Sequence, residues 1–268
     1  MSPIFNFFGY SFGAYHVFVI LAIFVFVLCV YLGCKVCKFP QFDFFFFICL
    51  IITCGFAGSK LFYLFEGIEV FEFWEINGSW VNKIFNFHSG FVLYGGVVFV
   101  FGSSYFYTKH IKISFFSLSD ILSIAMNLSI AIGKLGCLFA GCCYGIPSPI
   151  QGIGIIYNNS LYKTVPQNIF IFPIQLFDCL FSFVLFVLFS ILKFKYRISN
   201  GSIFILFLVL YPCYRIVSEI FRADISRGFF FQSSISLSQF YSILTLIFVA
   251  FYLKISKHKK SNENFYSR

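Results

Sequence analysis

The chain has 268 residues, of which 60% are hydrophobic and only 11% are charged, and its mean hydropathy is +0.90. A typical globular chain is roughly 45–50% apolar and about 25% charged, so this composition excludes a disordered chain, a collagen-like repeat and a small disulfide scaffold. The net charge of +9 does not indicate nucleic-acid binding, because the aromatic residues lie inside apolar runs rather than between basic residues.

Seven apolar segments follow one another along the chain, and each is long enough to cross a hydrocarbon core about 30 Å thick. The runs are continuous rather than alternating, and only helices or closed barrels span a bilayer, so the pattern predicts helices. The predicted fold is an all-α integral membrane protein that forms a single polytopic domain over residues 1–268. Its predicted spans are 12–33, 43–65, 89–107, 118–140, 170–192, 202–221 and 233–253.

The basic residues predict the orientation of these spans. With seven crossings, one side collects most of the Lys and Arg, and cytoplasmic loops carry that excess, so the N-terminus is expected outside and the C-terminus in the cytoplasm. The first span is not read as a cleavable signal peptide, because no basic residue precedes it. The two longest exterior loops, near 66–88 and 141–169, are expected to form a small cap. The residues on the basic side are Lys35, Lys38, Lys109, Lys112, Lys193, Lys195, Arg197, Lys254, Lys257, Lys259, Lys260 and Arg268.

Polar residues at membrane depth are costly, so they are the candidates for function. Arg215, Glu219 and Arg222 are spaced i, i+4 and i+7 and therefore share one helical face. They form either a self-neutralising structural ion pair or a clamp for an anion, since guanidinium groups match the geometry of phosphate. Three of the five Arg residues fall between 215 and 227, which favours the clamp.

A glycine-rich segment at 131–145 contains a second candidate cation, Lys134. Lys134 either extends to the membrane surface along its apolar stem or binds a phosphate. Gly136 and Gly145 permit a close approach of another backbone or a ligand. Three cysteines of this segment suggest a zinc site, but the C-x4-C-C spacing and the absence of an adjacent His argue against one, so no metal and no other cofactor is predicted.

Two further motifs place polar groups at the ends of predicted spans. Tyr94 precedes the pair Gly95 and Gly96, which lets a backbone or a lipid head group come close, and His88 lies at the boundary of the same run. A buried Tyr often only finds one hydrogen-bond partner, so a structural role for Tyr94 stays open. The fifth run begins at Pro173-Ile-Gln-Leu-Phe-Asp178, where Asp178 is an expected counter-ion for Lys134 or Arg215.

Taken in order, these motifs resemble those of the prolipoprotein diacylglyceryl transferase family. The resemblance covers nearly the whole chain, and the order of six motifs is its specific part. Those motifs are Gly58-Ser-Lys-Leu61, Tyr94-Gly-Gly96, Gly133-Lys-Leu-Gly-Cys137, Pro173-Ile-Gln-Leu-Phe-Asp178, Tyr214-Arg-Ile-Val-Ser-Glu219-Ile-Phe-Arg222-Ala-Asp224 and Ser238-Gln239.

The resemblance implies an enzyme of the bacterial cytoplasmic (inner) membrane. It would transfer a diacylglyceryl group from phosphatidylglycerol to the lipobox cysteine of preprolipoproteins, whose signal peptides it would bind, and glycerol phosphate would leave. On this basis Tyr94, Arg215 and Glu219 are expected to be catalytic. The expected ligands of the phosphatidylglycerol phosphate are Lys134, Arg215, Arg222, Tyr15, Gly95, Gly96 and Gly145.

The chain departs from the family pattern at four positions. Tyr94 stands where many members have His, Lys134 replaces an Arg, Cys137 replaces an Asn, and Asp178 replaces a Glu. Lys134 keeps the charge but lacks the bidentate fork of a guanidinium. The alternatives are therefore a non-catalytic or differently specialised lipid-binding paralogue of that family or, from another class, a small transporter.

Overall fold

The computed structural model describes residues 4–7, 10–36, 41–66, 92–148, 154–157, 165–224 and 235–266. For 4–7, 10–12, 41–42, 65–66 and 258–266 it describes the backbone alone. Of the predicted exterior loop near 66–88, residues 67–88 lie outside the described residues, and His88 is among them.

A short hairpin precedes the first helix, where no strand was expected. Strand β1 (Ile4–Phe7) pairs antiparallel with β2 (Tyr10–Gly13), so that residue 4 lies opposite residue 13 and residue 7 opposite residue 10. Strand β2 leads directly into the first helix.

Within the described residues seven α-helices follow, one for each predicted apolar segment. Helix α5 continues into a π-helical turn, Ile191–Lys195, and α6 into a 3₁₀ turn, Glu219–Phe221. The helices are α1 (Ala14–Val36), α2 (Gln41–Glu66), α3 (Leu93–His110), α4 (Phe115–Ala140), α5 (Ile174–Ser190), α6 (Ser202–Ser218) and α7 (Leu237–Tyr266).

Six of these helices are long and apolar enough to cross a membrane. The remaining helix, α3, has 18 residues, and its last turn carries Lys109 and His110. The chain is thus a helical membrane protein with several spanning helices.

Helix α4 is the centre of the bundle. Within its most apolar stretch 61% of the residues are buried inside the protein, against 11% for α7. It packs along α1 and α5 and also contacts α3 and α6. Two of its buried polar side chains donate to carbonyls one turn earlier in the helix: Ser123 Oγ donates to the Ser119 carbonyl at 2.8 Å, and Asn127 Nδ2 donates to the Ser123 carbonyl at 2.8 Å.

The outer surface of the bundle is rich in exposed phenylalanine. Phe45 is 75% exposed and Phe106 is 71% exposed, and similar side chains lie along α1, α5 and α7. In water such a surface would be an aggregation hazard, whereas in a bilayer it faces acyl chains at no cost. The packing therefore agrees with the composition.

The described parts of the loop between α4 and α5 pack as a small body at one end of the bundle. Gly141 ends α4 in the left-handed region, with φ of 80°, and its N–H bonds to the Cys137 carbonyl at 2.9 Å. Beyond it, bridges join Pro147 to Ile171 and Ile155 to Ile171. The buried side chains of this body are Tyr144, Tyr157, Val165 and Ile171.

Candidate functional site

A line of six charged side chains crosses one end of the helix bundle; we call it the outer charged cluster. It alternates three cations with three carboxylates, and five of the six residues are buried. Lys134, on α4, is the more open one, with 14% of its side chain exposed. The members are Lys134, Asp178, Arg215, Glu219, Arg222 and Asp224.

Asp178 links the cations of α4 and α6. Its Oδ2 lies 2.6 Å from Lys134 Nζ and 3.6 Å from Arg215 Nη1, and its Oδ1 accepts a hydrogen bond from the Tyr214 hydroxyl at 2.8 Å. The prediction that Asp178 is a counter-ion for Lys134 or Arg215 is confirmed, since it contacts both. The α5 helix start at Pro173 positions this carboxylate by placing it one turn inside the bundle.

The predicted shared face of Arg215, Glu219 and Arg222 is also confirmed. Glu219 Oε2 lies 2.9 Å from Arg215 Nη2 and 3.6 Å from Arg222 Nη1. Arg222 makes a second, bidentate contact that the sequence did not predict: its Nε and Nη2 donate to the two oxygens of Asp224 at 2.8 and 2.6 Å. The only sequence signal was an acid two residues after a membrane-depth Arg.

Arg215 is incompletely satisfied. Its Nη2 donates to Ser238 Oγ on α7 at 3.4 Å, but its buried Nη1 has no hydrogen bond within the described part of the chain and only the ion contact to Asp178. A guanidinium carries five N–H donors in a planar fork. The group therefore retains capacity for an anionic ligand.

Tyr94 is joined to Arg215 through α7. Its hydroxyl lies 2.5 Å from Ser242 Oγ, and that Oγ donates its own proton to the Ser238 carbonyl at 2.7 Å. Because the serine proton is used there, the Tyr94 hydroxyl is the donor. Tyr94 is thus linked to the outer charged cluster through two intervening residues, Ser242 and then Ser238, whose Oγ accepts from Arg215.

Gly95 and Gly96 pack α3 against α2. A Cβ at Gly95 would clash with the Gly58 carbonyl oxygen, and one at Gly96 would lie 2.5 Å from Ser59 Oγ. At both positions α3 therefore approaches α2 closely, as the alternative of a neighbouring backbone predicted.

Gly145 and Tyr15 also lie against backbone. A Cβ at Gly145 would collide with the Phe172 carbonyl oxygen, and Gly145 bridges to Arg222. Tyr15, on the first turn of α1, is partly buried, and a Cβ at Gly136 would lie 3.5 Å from its carbonyl oxygen. Tyr15 is thus carried to the part of α4 that follows Lys134.

Three cysteines meet just beyond Lys134. The sulfur atoms of Cys137, Cys142 and Cys143 all lie within 4.8 Å of one another. Hydrogen bonds from Cys137 and Cys142, reinforced by the charges of Arg222 and Lys134, hold the pKa of the Cys143 thiol well below its usual value against the opposing effect of burial. Linear spacing did not reveal this grouping, because the turn after α4 brings residues 142 and 143 back onto residue 137.

Gln175 ties this turn to α5. Its Nε2 donates to the Cys142 carbonyl at 2.9 Å and to the Tyr157 hydroxyl at 3.3 Å, and that hydroxyl donates to the Leu138 carbonyl at 3.1 Å. Burial raises the pKa of Tyr157 to about 12. Gln175 thus joins the start of α5 to the cysteine turn.

Sequence reasoning missed a second buried ion pair at the opposite end of α4. Lys193 Nζ donates to Asp120 Oδ2 at 2.6 Å, and Asp120 also accepts from the backbone N–H groups of Gly201 and Phe204 at 3.0 and 2.9 Å. The signal was present, since Asp120 is a lone acid inside an apolar run. Lys193 contributed only to the prediction of which side of the membrane is cytoplasmic.

Comparison with known proteins identifies relatives over most of the chain. The model of the family described as prolipoprotein diacylglyceryl transferase matches residues 3–255. A protein of Clostridium tetani named phosphatidylglycerol–prolipoprotein diacylglyceryl transferase is 31% identical over 209 residues, which cover 78% of this chain and 79% of that relative. A second relative, from Clostridium perfringens, is 30% identical over 218 residues and covers 80% and 79%. One from Rickettsia felis is 28% identical over 175 residues and covers 62% and 63%.

Proposed function

Because the chain belongs to the prolipoprotein diacylglyceryl transferase family, we propose that it transfers the diacylglyceryl group of phosphatidylglycerol to the lipobox cysteine of preprolipoproteins. Its relatives carry this activity in their names. The observation in the structure that best supports the proposal is the outer charged cluster, where three cations meet at one end of an apolar bundle.

The reaction makes a definite electrostatic demand. The thiolate sulfur forms a bond to the terminal carbon of the diacylglyceryl group, the bond from that carbon to a phosphate oxygen breaks, and glycerol phosphate leaves with the electron pair. The phosphodiester begins with one negative charge, and the leaving phosphate monoester gains a second. Cations fixed beside the phosphate therefore stabilise the transition state more than the bound lipid.

Arg215 is the residue we assign to the phosphate. Its Nη1 is buried without a hydrogen bond within the described residues, and a guanidinium can present two parallel donors to phosphate. Lys134 and Arg222 flank it through Asp178 and Glu219. They would add positive potential where charge develops on the leaving group.

The carboxylates of the cluster are assigned as positioning groups. Asp178 and Glu219 lie on either side of Arg215, and Asp224 holds Arg222 by two hydrogen bonds. They keep the cations oriented, and their negative charges offset the desolvation cost of burying the cations before the lipid binds. Tyr94 has a similar role, because its proton is committed to Ser242, whose neighbour Ser238 contacts Arg215.

The setting we propose is the bacterial cytoplasmic membrane, crossed seven times, with the N-terminus outside. The basic residues Lys109, Lys193 and Lys195 belong to the end of the bundle that holds Asp120, and such residues mark the cytoplasmic side. The outer charged cluster then faces the outer leaflet, where phosphatidylglycerol and a translocated signal peptide can both reach it. In this arrangement the whole chain works as one membrane domain.

A transfer assay tests the proposal. Purified protein in detergent is mixed with phosphatidylglycerol and a lipobox peptide, and the peptide mass is measured. We expect the added mass of one diacylglyceryl group, and none on a matched peptide in which Ser replaces the lipobox Cys. A well-folded protein that modifies no peptide, with phosphatidylglycerol or with a native lipid extract, would instead indicate a non-catalytic relative.

A further inference from the structure

The three thiols beyond α4 are not used by the reaction described above. Cys137, Cys142 and Cys143 are each partly exposed, and their sulfur atoms lie within 4.8 Å of one another. In a tetrahedral zinc site, Zn–S bonds of about 2.3 Å place two sulfurs about 3.8 Å apart. Side-chain rotations that move the sulfurs about 1 Å closer would therefore bring all three to ligand distance.

The backbone holds this turn in place before any ligand binds. Cys142 N–H bonds to the Cys137 carbonyl at 3.2 Å, and Gln175 fixes the Cys142 carbonyl from α5. Cys143 has φ of 55°, a left-handed conformation that is uncommon for a residue with a side chain and clusters at functional sites. Three thiols on a preformed turn resemble a binding site more than core packing.

The turn also lies against the outer charged cluster. Ala223 N–H bonds to the Tyr144 carbonyl at 3.1 Å, and Gly145 bridges to Arg222. On α4, Lys134 lies one turn before Cys137. Three thiolates and a divalent cation carry a net charge of −1, so these neighbouring cations would favour the loaded site.

We propose that Cys137, Cys142 and Cys143 bind a thiophilic d10 cation of the Zn²⁺ class, whose fourth position takes the thiol of the incoming lipobox cysteine. Three protein ligands and one open position are typical of catalytic zinc sites. This role rests on the transferase function proposed above, whereas the metal site itself does not depend on it.

The site would supply a means of ionising the substrate thiol, a step to which none of the residues assigned above contributes. A thiol that coordinates such a metal loses its proton, here to solvent. The bound sulfur then attacks the diacylglyceryl carbon, and the phosphate oxygen leaves with the electron pair toward Arg215. The metal changes neither its oxidation state nor its three protein ligands, and the thioether product is a weaker ligand that dissociates.

Metal binding is tested on the full chain in detergent, reduced with a phosphine and stripped with a chelator. Titration with Co²⁺ is expected to give the visible bands of tetrahedral cobalt thiolate at one equivalent, which Zn²⁺ then displaces. Cys137→Ser, Cys142→Ser and Cys143→Ser should each weaken binding by about 100-fold or more, because even the loss of a group outside the metal's ligands costs 10–100-fold. Cys179→Ser and Cys213→Ser are the matched controls and should bind as the wild type does.

The outcomes separate the site from its role. A reduced wild-type protein that takes up no cobalt overturns the site, whether or not the thiols had formed a disulfide during purification. A cobalt spectrum that shifts on adding lipobox peptide, but not the Ser peptide, supports the open position without requiring transfer. Full transfer by the stripped protein would overturn the role and leave the transferase function standing, while metal binding without any transfer would refute that function alone.

Discussion

The two ends of α4 carry buried charges that are satisfied in different ways. At one end Asp120 is fully buried and receives three hydrogen bonds, one from Lys193 and two from the backbone at the start of α6. At the other end, about 21 Å along the helix, Lys134 opens the outer charged cluster. There the buried Arg215 Nη1 lacks a hydrogen bond within the described residues.

The difference distinguishes the charged residues that stabilise the fold from those that can bind a ligand. Asp120 caps α6 and fixes α4 to the end of α5, so every acceptor on it has a structural task. The outer charged cluster keeps ion contacts of 3.6 Å that a phosphate could replace. A complete set of hydrogen bonds indicates architecture, and an incomplete one at a membrane surface indicates a binding site.

The largest expected effect comes from removing Asp120. Asp120→Ala leaves Lys193 without its counter-ion and uncaps α6, and breaking a buried pair costs about 3–5 kcal/mol. We expect a low yield of folded protein and an early thermal transition in detergent. Transfer measured per folded molecule should be unchanged.

The matched control is the double variant Asp120→Asn with Lys193→Met, which removes both charges but keeps a capping oxygen. It should recover most of the lost stability, because the buried charge without a partner is gone. If Asp120→Ala unfolds at the wild-type temperature, the structural role assigned to this end is wrong.

Next in size is the loss of transfer on neutralising Arg215 and Glu219 together. Arg215→Gln with Glu219→Gln leaves no unpaired charge between these two residues, so the protein is expected to insert and purify normally. Its transfer rate should fall about 100-fold or more, which corresponds to roughly 3 kcal/mol of lost transition-state stabilisation. Normal stability with normal transfer would show that Arg215 is only architectural.

A smaller effect is expected at Lys134. Lys134→Ala leaves Asp178 with the Tyr214 hydroxyl and Arg215, so folding should survive while transfer falls about 30-fold, or roughly 2 kcal/mol. Lys134→Arg should retain or improve transfer, because it restores a bidentate fork. Lys195→Ala, at the other end of the bundle, is the control, and equal rates for the two Ala variants would discard the phosphate role.

The smallest effect is expected at Tyr94. Tyr94→Phe removes one buried hydrogen bond, worth about 1 kcal/mol of stability, and should lower transfer no more than about fivefold through the loosened Ser238. Ser242→Ala should match it, and combining the two should add nothing, as in a double-mutant cycle on one bond. A loss of transfer as large as that of the Arg215 double variant would instead make Tyr94 a catalytic residue.

Much of the fold could be predicted, because the length and continuity of the apolar runs specify membrane helices almost alone. The face shared by Arg215, Glu219 and Arg222 was predictable for a similar reason, since helical spacing determines it. The cysteine grouping was not, because it depends on a left-handed residue in a turn. The space beside Gly95 and Gly96 was also undecided, since a glycine pair accommodates a helix or a ligand equally well until tertiary packing chooses.

The central claim is that the outer charged cluster holds the phosphate of phosphatidylglycerol. The most direct measurement is the affinity of the purified protein for phosphatidylglycerol relative to uncharged diacylglycerol. It is made on the wild type and on the two double variants that neutralise an ion pair, one at each end of α4. We predict that the wild type and the Asp120→Asn, Lys193→Met variant both prefer phosphatidylglycerol by about tenfold or more, equivalent to about 1.4 kcal/mol. The Arg215→Gln, Glu219→Gln variant should lose that preference, and retention of the full preference in this variant would contradict the account.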